Sequence, residues 1–213
     1  MVLGAFLSSR ARDVLRTLLL AGGCFCPASY ATDDAKQLGV VADFQLEVAQ
    51  FSPAGELLRP DDLDQWIFLG TSLGLGYAAE NTTSAEAKGP GDFQVVLMEP
   101  TAYRYFKANG RYADGSMFLL AIYGTEHQQR ADRSGFSQRE RKFFEIHLID
   151  KQRYADGRAF FLYPASTTAA KALPPGNDCV ACHVQHAAFG GTFAQFYPAV
   201  RQLVPPGSLL DRH

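Results

Sequence analysis

Lys142-Phe143-Phe144-Glu145-Ile146-His147-Leu148-Ile149, followed after one connection by Arg158-Ala159-Phe160-Phe161-Leu162-Tyr163, is the stretch whose reading decides the fold. Both runs are short and dense in aromatic and branched side chains, which suit a pleated, half-buried surface. The connection carries Asp156-Gly157, turn chemistry in which Gly supplies a positive φ without steric cost. So short a link joins antiparallel neighbours, because a parallel pair needs a longer crossover. Working back along the chain, Ser116–Tyr123, Phe93–Met98 and Trp66–Leu69 read as further strands. Pro100–Asn109 reads as a helix, with Pro in its first turn and Gly110 after its end. The pattern predicts an α+β fold, mainly antiparallel β-sheet with a few helices.

The remaining segments fill in around this sheet. Asp43–Val48 alternates, with Phe44, Leu46 and Val48 on one face, and Ser52-Pro53-Ala54-Gly55 is a turn. Pro60-Asp61-Asp62 starts a helical turn that leads to Trp66. Gly74–Asp92 is rich in Gly, Ala, Thr and Ser and reads as a long loop. Gly124–Gln138 is polar and reads as a mobile excursion. Ser166–Leu173 reads as a helix, and Thr192–Leu203 as an amphipathic helix bent at Pro198. Arg111-Tyr112-Ala113-Asp114-Gly115 recurs as Arg153-Tyr154-Ala155-Asp156-Gly157, each copy running into an apolar strand. The echo reads as one turn device used twice.

Chemistry concentrates in Cys179-Val180-Ala181-Cys182-His183, the attachment sequence for a c-type haem. Each thiol adds to one vinyl group on the same porphyrin edge, and the two-residue spacer presents both sulfurs to that edge. The adjacent histidine supplies the proximal nitrogen to iron. Two rivals are weaker. A redox dithiol belongs at a strand-to-helix junction early in a βαβ unit, and zinc needs a second ligand pair. The reading is one haem c per chain, covalently bound through Cys179 and Cys182, with His183 as the iron ligand.

Haem attachment of this kind takes place outside the bacterial cytoplasm, and the N-terminus fits export. Arg10, Arg12 and Arg16 form a basic region, Leu18–Cys26 a short apolar one, and Ser29-Tyr30-Ala31 a small-x-small cleavage site. The apolar run is short for a membrane span. A lipoprotein reading, with Cys24 lipidated, ranks below it because Ala21 stands where such sites want Leu. The domain reading is a signal peptide at 1–31, an N-terminal extension at 32–42, the haem domain at 43–205 and a tail at 206–213, with a periplasmic destination. Two of the four cysteines, Cys24 and Cys26, fall in the leader, so the staple of the mature chain is the haem itself. Roughly 180 residues then remain, enough for one domain with a core. A net charge of −2 with interspersed signs offers no basic patch for nucleic acid. Sixteen Phe and nine Tyr suit a core around a flat aromatic cofactor, or an ordinary β-rich core.

Several motifs in order then identify a resemblance. Gly55-Glu56-Leu57-Leu58, Trp66, Gly70-Thr71, Pro100-Thr101-Ala102-Tyr103 and Gly110–Gly115 precede the Cys179–His183 motif, and Phe193–Arg201 follows it. From about Val48 to Leu203 the chain resembles the cytochrome P-460 family, which includes the gas-binding cytochromes c′-beta. The resemblance implies a sheet-rich homodimer, iron on His183, and an opposite axial position that is open or holds water. Members with a lysine cross-linked to the porphyrin oxidise hydroxylamine; members without it bind nitric oxide. The corresponding position here is Leu120, which cannot form that bond. A proton-relaying carboxylate of catalytic members aligns with Glu145. Either Glu145 lies in the pocket among phenylalanines, or it is a surface Glu paired with a base. Phe118 and Leu120 share a strand face that the alignment turns toward the distal side, and Phe68 is a further candidate wall.

These readings leave three functions. The first is a periplasmic monohaem c-type cytochrome with an open distal site for nitric oxide or a similar gaseous or nitrogenous ligand. The second is a haem oxidoreductase acting on hydroxylamine or nitric oxide, with Glu145 as the catalytic proton relay. The third is an electron-transfer cytochrome with a periplasmic partner, against which the sheet-rich pattern argues. A sixth protein ligand would favour the third. Its candidates are Met98, Met117, His127, His147, His186 and His213, of which the alignment leaves only His147 near the distal face.

Overall fold

The computed structural model describes residues 45–75, 90–130, 133–164 and 166–209. The expected leader and extension lie outside them, as does most of the Gly74–Asp92 loop. The described elements are β1 (Leu57–Leu58), β2 (Ile67–Leu73), β3 (Phe93–Met98), α1 (Pro100–Asn109), β4 (Met117–Arg130), β5 (Arg133–Ile149), β6 (Arg158–Pro164), β7 (Ala169–Ala170), α2 (Asp178–His186) and α3 (Pro198–Arg201), with short 3-10 turns at Leu63–Gln65 and Ala194–Phe196. Strands β2 to β6 form a five-stranded sheet in sequence order, every pair antiparallel. Strands β1 and β7 pair separately. The fold is α+β and mainly antiparallel sheet, as the strand pattern predicts. Among the described residues no helix is long and apolar enough to cross a membrane.

Period-two alternation gives the meander two faces, and each buries a core. One face carries Phe144, Ile146, Leu148, Phe161 and Tyr163, closed by Leu57, Trp66 and Ala170. The other carries Met98, Phe118 and Ile149, covered by Phe106 of α1 and by Ala194, Tyr197 and Val200 near the C-terminus. Helix α1 starts where Glu99 caps it, its carboxylate accepting the Ala102 N–H at 2.6 Å. It ends at Gly110, which takes φ 64° and donates its N–H to Phe106. Gly70 allows the C-terminal segment to close down, because a Cβ there would lie 2.4 Å from the Tyr197 ring.

Three segments depart from their sequence expectation. Gly124–Gln138 is no loose excursion: β4 and β5 continue as a paired ribbon out to Arg130 and Arg133. Its polarity reflects wide exposure, and cross-strand contacts, His127 with Phe136 and Gln128 with Ser137, add to the ladder. Ser166–Leu173 is not helical despite its alanines. Ala169 and Ala170 pair with β1, and the Leu173 N–H donates to the Phe160 carbonyl, so sheet contacts override local propensity. Thr192–Leu203 is a 3-10 turn plus the four-residue α3, because Pro198 starts a helix rather than bending one. At the N-terminal end, Asp43–Val48 yields only a single bridge from Gln45 to Asp114 among its described residues, although Leu46 is buried as expected.

Candidate functional site

Helix α2 is set by Asn177, whose side chain accepts the Cys179 N–H at 2.9 Å. Helical spacing then places Cys179, Cys182 and His183 at i, i+3 and i+4, on one face. Both cysteines are half-buried thiols, and burial raises the Cys182 pKa. After the helix the chain doubles back through Gly190 and Gly191, where Phe189 and Thr192 pair. This turn returns the Gly191 carbonyl to the His183 ring, 2.8 Å from Nδ1. A carbonyl only accepts, so Nδ1 carries the proton and Nε2 keeps its lone pair. Burial lowers the His183 pKa, and the charge of Arg158 lowers it further against the opposing Gly191 hydrogen bond, which keeps the ring neutral.

The His183 ring stands over the sheet face that includes Phe118. Its centroid lies 4.6 Å from Phe160, 4.7 Å from Phe193 and 5.4 Å from His147. On that face, register aligns two neighbouring rows. Met98, Phe118, His147 and Phe160 form one, and Val96, Leu120, Glu145 and Leu162 the next. Leu120 and Glu145 are therefore direct cross-strand partners. Leu162 beside them is 40 % exposed, so this second row is the more open. Burial raises the Glu145 pKa, favouring the protonated form.

The structure thus brings Cys179, Cys182 and His183 together, and aligns Phe118, Leu120 and Glu145 on the face below His183. Phe118 is a core residue whose ring packs edge-on to Tyr112 at 4.9 Å. Phe68 does not join them. A bulge between Phe68 and Gly70 breaks the strand's period, Phe68 pairs with Leu97 on the opposite face, and it is 58 % exposed. His147, the one candidate sixth ligand that the alignment leaves near the distal face, sits beside Phe118 on the same sheet face and against His183. It is 7 % exposed, stacked on Phe160 at 4.4 Å, and its Nε2 has no hydrogen-bond partner. Burial holds its pKa well below 6.5, so the ring is neutral. Met117 is buried on the other face, Met98 lies in the core, His127 packs on Phe136 in the ribbon, and His186 is exposed. His213 lies outside the described residues.

Sequence reasoning missed Phe160, Phe193, Gly191 and Arg158. The double glycine after the motif was the legible signal for the Gly191 turn. The others follow only from packing β6 beneath α2.

These residues fit a haem. Two thiols on one helix face, a neutral histidine with an available Nε2 fixed by a carbonyl at Nδ1, and an aromatic bed suit covalent attachment and iron ligation. Among the described residues, no three His, Cys, Asp or Glu side chains converge as a bare-ion site requires. The family model described as Cytochrome P460 matches residues 64–194, more than half of the chain. The protein is a cytochrome with a haem cofactor. It belongs to the cytochrome P460 family. A comparison with curated proteins gives no match.

Proposed function

We propose that this protein is an exported monohaem c-type cytochrome whose open distal side binds nitric oxide or a similar small neutral ligand. Cys179 and Cys182 would hold the haem covalently, one per chain, and His183 would ligate its iron. The bound group supplies a ligand-accepting, redox-active iron. The protein supplies the rest. Gly191 orients the ligand imidazole, Phe160 and Phe193 exclude water around it, and Leu120 presents an apolar surface on the distal side. The observation that carries this reading is Leu120, the cross-strand partner of Glu145 on the face beneath His183. A family member that cross-links has an amine there, and leucine has none. The periplasm as destination and a homodimer as the working assembly belong to the same proposal.

Glu145 supports a second reading, oxidation of hydroxylamine or nitric oxide. Its carboxyl is poised to retain a proton by burial, as a proton relay beside a reacting ligand requires. Two measurements separate the readings. The intact mass and ferrous absorption spectrum of the exported protein should show leader cleavage, one covalent haem and five-coordinate iron; a low-spin six-coordinate spectrum without added ligand rejects an open site. Turnover of hydroxylamine with an artificial acceptor should be absent. If it is present and falls in Glu145→Ala, the oxidoreductase reading replaces the first.

A further inference from the structure

Arg158 is a cation that the functions above leave unused. It opens β6, one period-two step from Phe160 and so on the same face. Its guanidinium fills the space where a Cβ on Gly191 would stand, with Nη1 1.5 Å from that position. Gly191 adopts φ 79°, and its carbonyl is the acceptor for His183 Nδ1. The other side of the turn is equally full. Gly190 adopts φ 55°, and a Cβ there would lie 2.7 Å from the Tyr112 ring. The Tyr112 hydroxyl meets Thr192 Oγ1 at 3.0 Å, and Thr192 Oγ1 donates to the Phe189 carbonyl at 2.9 Å. The turn that orients His183 is therefore wedged between Tyr112 and Arg158.

The charge of Arg158 is uncompensated. Among the described residues it forms no ion pair, and its hydrogen bond runs from Nε to the Asp156 carbonyl at 3.4 Å. Its field reaches both His183 and His147, disfavouring a positive charge on either ring. A ferric haem carries one more positive charge than a ferrous one, so the same field disfavours oxidation.

We propose that Arg158 is a positioning residue for the axial histidine: it braces the Gly191 carbonyl against His183 Nδ1 and raises the reduction potential of the iron that His183 holds. The proposal rests on the reading of His183 as iron ligand, and the test separates the two. In the haem-loaded protein, His183→Ala should abolish the iron–histidine stretching band of the ferrous state. Persistence of that band overturns the ligand assignment whatever Arg158 does. Midpoint potentials are then compared among wild type, Arg158→Lys and Arg158→Met, with Arg158→Gln as a second uncharged variant should methionine disturb packing. The uncharged variants should shift to lower potential, while Arg158→Lys stays near wild type. Gly191→Ala, which evicts the guanidinium and strains the turn, should move the iron–histidine band. Unchanged potential in the uncharged variants overturns the proposal, as does an equal shift in Lys and Met, which would mark a packing effect without a charge effect.

Discussion

Glu145 is the residue on which the two functional readings divide, and its environment has a consequence for stability. Burial raises its pKa in the folded state above the ordinary glutamate value of 4.5. The folded protein therefore binds this proton more tightly than the unfolded chain does, and stability contributed by the protonated form is lost as pH rises from that value through the raised one. Glu145→Gln removes the titration. Its denaturant midpoint should gain on wild type as pH increases from about 4.5 toward 8 in the haem-loaded protein. Parallel midpoint curves for the two proteins would reject the burial argument. Leu120 acts in the same place without charge, so the variant should leave the apolar wall intact.

At the scale of elements, the β4–β5 ribbon stands apart from the sheet that bears the site. Beyond Gly124, no described residue of either strand contributes to either buried core. Joining Glu126 to Ser137, which are register partners, through an Asn-Gly turn should leave the thermal midpoint of the haem-loaded protein within a few degrees of wild type. A large drop in differential scanning calorimetry would show that the ribbon supports the core after all. The ribbon also marks the limit of what the sequence discloses. Apolar periodicity made β3, the inner halves of β4 and β5, and β6 legible, and Pro100 and Gly110 marked the ends of α1. Where burial is absent, as at Gln129 or Gln138, strand and loop look alike. Ala169 and Ala170 favour a helix locally and lose that preference to pairing with Leu57 and Leu58. In the site, the Cys179–His183 spacing was readable because thioether chemistry dictates it. Contact of His147 with His183 was not, because it depends on how β5 packs under α2. Phe68, a candidate wall by resemblance alone, pairs with Leu97 on the face away from Phe118, a placement that only the register of β2 on β3 discloses.

Over the whole molecule, the second core is tied to the N-terminal part of the chain by the β1–β7 pairing and by a long-range side-chain bond. The buried Tyr163 hydroxyl donates to the Leu57 carbonyl at 2.8 Å, across 106 residues of sequence. Its ring stacks on Phe144 at 4.9 Å, a contact that phenylalanine would preserve. Tyr163→Phe should therefore cost about 1 kcal/mol in chemical denaturation, the worth of a single buried hydrogen bond. A neutral result would mean that the pairing with β7 and apolar contacts hold β1 without this bond. The face opposite this core carries the site, and there the two aligned rows have a lasting effect. Pairing between β4 and β5 is unbroken from Met117 with Leu148 to Ile122 with Phe143, and the irregularities begin only beyond Ile122. An insertion or deletion of one residue between Glu145 and His147 would turn one of them into the opposite core. Descendants of this chain can alter the chemistry of the site by substitution at Leu120, Glu145 or His147, whereas within the paired stretch of β4 and β5 that carries them a change of length is not tolerable.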